Sequence, residues 1–142
     1  MAENTLVDRD IRRGEAIVRA LDNAADVSMH PTAALWFLFR EEESWRLLLA
    51  LPAMATDPAQ SVYARLLEIV TQAPEIEHFS FDTIGLMPPE SPLVDLLGVA
   101  IQTPADAVAG IRFSNNTING QLIPDAYIYR LTRPLPERIA AG

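Results

Sequence analysis

The sequence predicts a single α+β domain, a mixed α/β fold in the order α-β-β-α-β-α-β-β, with about five strands in a central sheet, two of its connections hairpins, and three packing helices. Three features carry that expectation. Residues 33–51 hold two apolar runs separated by three glutamates and a serine. The middle of the chain shows apolar stripes at helical spacing between prolines, and the last third turns to isoleucine, tyrosine, threonine and asparagine.

The first helix is expected from a cap at Thr5 to about Ala24, with Val7, Ile11, Gly14, Val18 and Leu21 at steps of three and four. Its four arginines interleave with Asp8, Asp10, Glu15 and Asp22, so a self-paired solvated face is favoured over a phosphate-binding one. The stretch Ala33 to Leu51 fits no amphipathic helix, because it is apolar all round at both ends and acidic between. As a hairpin it makes sense. Leu35 to Phe39 form one strand, Glu41 to Ser44 the turn and Trp45 to Leu51 the return, apolar on both faces as strands covered on both sides are. A single-helix reading competes, since leucine, alanine, glutamate and arginine form helices well.

Asp57, Pro58 and Gln60 predict a cap, a helix-opening proline and a capping-box partner. The helix that follows buries Val62, Leu66, Ile69, Val70 and Ala73 and stops at Pro74. A strand is expected at Thr83 to Met87. Ser91 and Pro92 then open a third helix with Leu93, Leu96, Leu97, Ala100 and Ile101 inward. Strands at Ile111 to Ile118 and Tyr127 to Leu131 flank a turn at Asn119 and Gly120. Residues 1–134 make the domain and Leu135 to Gly142 a C-terminal tail. The run of strands and helices in the middle offers parallel crossovers.

Composition excludes several chemistries. The chain has 142 residues and no cysteine, which removes thiol catalysis, thiolate zinc sites and disulfides, and suggests a cytoplasmic location. Lysine is also missing, so a Walker A loop and Schiff-base catalysis are excluded. Abundant arginine and alanine suggest a GC-rich bacterial genome. Net charge is −8 and concentrated in residues 41–100, which opposes nucleic-acid binding. No stretch is long and apolar enough for a membrane span, and a soluble protein is expected.

Candidate chemistry is sparse. His30 and His78 have no second ligand at metal spacing, the three-glutamate turn is better read as solvated than as a calcium site, and no metal or cofactor is expected. The four aromatics Trp36, Phe37, Phe39 and Trp45 read as core. The least ordinary polar cluster is Arg112, Ser114, Asn115, Asn116, Thr117 and Asn119 with Asp125, Tyr127 and Tyr129. Turn geometry explains its asparagines most simply, and a partner-binding surface on Arg112, Ser114, Asn116, Asn119, Asp125 and Tyr127 is the functional alternative. No catalytic motif is present. The expectation is a non-enzymatic, acidic interaction module that binds a protein partner or, as a homodimer, itself, with a small enzyme or small-molecule binder using His30, His78 or the C-terminal hairpin as the alternative.

Overall fold

The computed structural model describes residues 6, 8–72 and 83–132. His78 and the expected tail lie outside them. Three helices, α1 (Asp8–Asp22), α2 (Ala59–Val70) and α3 (Pro92–Leu97), accompany five strands, β1 (Ala33–Phe39), β2 (Ser44–Ala50), β3 (Ile84–Met87), β4 (Ile111–Ile118) and β5 (Gln121–Leu131). The strands form one sheet in the order β3-β2-β1-β5-β4. Neighbours run antiparallel except β2 and β3, which are parallel and joined by the crossover through α2. This is the expected α+β order. Among the described residues, no helix is long and apolar enough to cross a membrane.

The hairpin of β1 and β2 occupies the middle of the sheet, with Trp36 opposite Leu47 and Leu38 opposite Trp45. Its double-sided apolarity has the anticipated cause. On one face Ala34, Trp36, Leu47 and Leu49 meet Ile17, Val18 and Leu21 of α1 and Val62, Leu66 and Val70 of α2. On the other face Ala33, Leu35, Leu48 and Ala50 join Ala126 and Ile128, and Val94 and Leu97 of α3 pack there. Successive strand residues alternate between two dry layers, so neither can be polar. Each large side chain fully buried this way stabilises the fold by roughly 1.5–3 kcal/mol.

Local details depart from expectation. Ser91 does cap α3, accepting from the Val94 N–H at 3.3 Å ahead of Pro92. Asp57 does not cap α2: the N-cap is Pro58, without a side-chain bond, and the Asp57 carboxylate takes a hydrogen bond from Arg65. The third helix ends at Leu97, and Ala100 is exposed. Only the first of the two anticipated crossovers forms. After β3 the chain passes under the sheet through α3 and residues 98–110 to the opposite edge, where β4 begins.

Two buried polar links tie α1 to the sheet. The Trp36 Nε1–H donates to the Tyr129 hydroxyl at 3.0 Å, and that hydroxyl donates to the Ile11 carbonyl on the helix. Burial raises the Tyr129 pKa, so the phenol stays protonated and able to donate. Gly14 lies against this link. A Cβ there would stand 2.7 Å from Trp36 Nε1. The second link is Arg130, only 1% exposed, which forks onto Asp22 and also donates to the carbonyls of Pro31 and Ala107.

Candidate functional site

The C-terminal hairpin closes through Asn119 and Gly120, whose φ angles of 50° and 80° are both positive, as a two-residue type I′ turn requires. A Cβ on Gly120 would meet nothing, so the backbone angle alone calls for glycine here. Asn119 therefore serves the turn. The two-residue loop makes Ile118 and Gln121 a bonded pair, and alternation then directs Ile123 and Asp125 toward β4 as well.

Of the residues singled out in sequence, Arg112, Ser114 and Asp125 come together. Arg112 sits opposite Tyr127 and Ser114 opposite Asp125. The guanidinium of Arg112 grips the Asp125 carboxylate at 2.7 Å through both Nε and Nη2, and Ser114 Oγ donates to the same carboxylate at 2.7 Å. Arg112 also stacks on Trp45, 5.7 Å from the ring centroid. These bonds hold the Asp125 carboxyl below its usual range, the Arg112 contact first and Ser114 after it, against the opposing effect of partial burial. Asn116 is occupied too. Its Nδ2 donates to the Ser114 carbonyl at 2.8 Å, bridging Asn115, which takes a left-handed φ of 51°. Arg112, Ser114, Asn116 and Asp125 thus form a self-satisfied brace across the β4 and β5 pair.

His30 is spoken for as well: its Nε2 lies 2.8 Å from the Ala24 carbonyl and closes the turn after α1. Within the three-glutamate turn, Glu42 accepts from Arg46 at 3.2 Å. Among the described residues, no group of three or more histidine or carboxylate side chains is placed to hold a metal ion.

The opening that the sequence did not reveal is a notch between the tips of the two hairpins. Pairing of β1 with β5 stops at Phe37 and Ala126, although β1 runs on to Phe39 and β5 starts back at Gln121. Register explains it. Two residues further on, Phe39 comes opposite Pro124, and because Ile123 and Asp125 face β4, Pro124 presents its side to β1 without an N–H to offer. The ladder cannot continue and the tips part. Two hollows of about 350 and 320 Å³ result, both lined by Leu38, Arg40 and Pro124. Phe37, Phe39 and Leu122 give the larger hollow an apolar floor, Leu122 being 46% exposed, with Glu41 on its rim, while Glu43 and Asn115 line the smaller one. Proline inside a strand-like run was the sequence signal for it.

Comparison with protein-family models, with curated proteins and with solved structures found no match to this chain.

Proposed function

We propose that this protein is a non-enzymatic interaction module, and that the notch between the hairpin tips receives an extended segment of a partner protein. The observation that carries this reading is the ladder stopped at Pro124, which leaves an apolar recess between two strands instead of a closed sheet. An extended chain suits such a recess, since it can bond to strand backbone while its side chains enter the hollows. The rim sets a preference. Glu42 is engaged by Arg46, whereas Glu41 and Glu43 line the hollows with no ion pair among the described residues, so a segment pairing an apolar residue with an arginine or lysine is favoured. The hydrogen-bonded brace of Arg112, Ser114 and Asp125 keeps the neighbouring hairpin rigid, which limits the entropy lost on binding. Cysteine-free, arginine-rich composition supports a cytoplasmic, bacterial setting.

Selection of random peptides displayed on phage tests the proposal. Enriched peptides should carry an apolar residue beside a basic one and should lose binding to Leu122→Glu, an exposed substitution that leaves the core untouched. Enrichment of acidic peptides, or equal retention by the variant, would refute the assignment. Concentration-dependent self-association abolished by the same variant would identify a second copy as the occupant in place of a different protein.

A further inference from the structure

A different concavity lies on the far side of the molecule, where the C-terminal ends of α1 and α2 converge. We propose that this groove binds a small organic cation, an amine or guanidine carried on an apolar body. Its volume is about 460 Å³, and its floor consists of Ala20, Ala24, Met29 and Ile69. Small-molecule sites of roughly 300–1,000 Å³ with apolar walls and a few polar groups are the common type.

Two independent sources make the groove negative. The first is backbone: Ala20 and Asn23 stand at the last turn of α1, and Glu68, Ile69 and Gln72 at the last turn of α2. A helix carries about half a negative charge at its C-terminal end, and here the last turns of two helices border one space. Among the described residues the cations at these ends are already engaged, Arg130 by Asp22 at the close of α1 among them. Arg19 in the last turn of α1 is engaged by Glu15 at 2.8 Å, and the last turn of α2 has no basic residue.

The second source is side chains. Asp26 and Glu68 line the groove, and among the described residues Arg65 is the cation that lines it with them. Arg65, however, bonds to both Asp26 and Asp57, so two carboxylates already share its guanidinium. Bonds from Ser28, then from Arg65, hold the Asp26 carboxyl below its usual range and keep it charged at neutral pH. An anion would have to displace two carboxylates from Arg65. A cation meets Glu68, which has no ion pair among the described residues, and the side-chain amides of Asn23 and Gln72.

Titration of the isotope-labelled full chain with hexylammonium, hexanol and hexanoate, followed by amide chemical shifts, tests this. Hexylammonium should saturate, with shifts confined to Ala20, Ala24, Met29, Glu68 and Ile69, and bind at least about fivefold more tightly than hexanol. Hexanoate should give no saturating shift. Glu68→Gln should weaken the amine by about threefold while leaving hexanol unchanged. Ala24→Phe, filling the groove, should remove both, with an unchanged melting curve showing that the fold persists. The proposal is overturned if no ligand saturates, if hexanoate binds as well as hexylammonium, if the amine's shifts centre instead on the turn at Glu41 to Glu43, or if Glu68→Gln leaves the amine's affinity unchanged.

Discussion

Arg130 and Asp22 are 108 positions apart in sequence, yet the guanidinium of one forks onto the carboxylate of the other at 2.9 and 2.8 Å, joining the last strand to the first helix. Arg130 also satisfies the carbonyls of Pro31 and Ala107, so truncation would strand three acceptors together. Arg130→Met is expected to lower stability by about 3 kcal/mol or more in urea melts, because breaking a buried pair leaves its partner uncompensated. Pairing it with Asp22→Leu should restore part of the loss. A single variant as stable as the parent would rule out this role.

Gly14 and Tyr129 set up a test in which two effects oppose. Replacing a helical glycine with alanine ordinarily stabilises by up to about 1 kcal/mol. Here the new methyl would collide with the hydrogen-bonded Tyr129 hydroxyl and Trp36 ring nitrogen, and overpacking costs about 1–3 kcal/mol. Gly14→Ala should therefore melt lower than the parent. In a Tyr129→Phe background the same substitution should cost less, as the hydroxyl it strikes is gone. Equal costs in both backgrounds would locate the clash elsewhere.

Turn geometry and brace geometry separate at the C-terminal hairpin. Gly120→Val forces a β-branched residue to a φ of 80° and should cost on the order of 1 kcal/mol or more, with Gly120→Asn much milder. Asn116→Ala removes an exposed bond to the Ser114 carbonyl and should cost about 0.5–1 kcal/mol by the same melts. If peptide affinity is retained in Asn116→Ala, that side chain plays no part in recognition.

The Asp125 brace predicts a pH dependence of definite sign. Its carboxyl titrates lower in the folded protein than in the unfolded chain, because Arg112 and Ser114 favour the charged form. The stabilisation is thus fully present above the unfolded value of about 3.9 and is lost as pH falls through the lower folded value. The pair is partly exposed, so the effect should stay near or below about 1 kcal/mol. Thermal melts of the parent and Asp125→Asn should differ most near neutral pH and draw together as pH falls below the unfolded value of about 3.9. A gap that widens in acid would contradict the assignment.

Element order was legible in the sequence because burial leaves periodicity behind. Residues 33–51 alternate between two dry layers, and Asn119 with Gly120 states the turn outright. Arg112, Ser114 and Asp125 were also recognisable as a group, since a tight turn fixes which residues face each other. What escaped depends on contacts remote in the chain. Arg130 sits in the run YIYRL with nothing local to mark Asp22 as its partner. Asp57 has the spacing of a cap, but a guanidinium two turns along the helix outcompetes the backbone for its carboxylate. The last strand, expected only from Tyr127, starts at Gln121 and continues through Pro124, because its bonds to β4 are made by the neighbours of that proline.

The placement of β1 also bears on how the chain matures. This strand, AALWFLF, is the centre of the sheet, yet its partner on one side is β5, and the Trp36 and Tyr129 side chains that meet across the pair are 93 residues apart. During synthesis the first hairpin emerges long before the strand that shields its other edge. For that interval a lysine-free, proline-free apolar edge stands open, the kind of template on which nascent chains aggregate. The turn at its tip, Glu41 to Glu43, sets charged residues beside that edge, the kind of flanking that opposes edge-to-edge pairing of apolar strands.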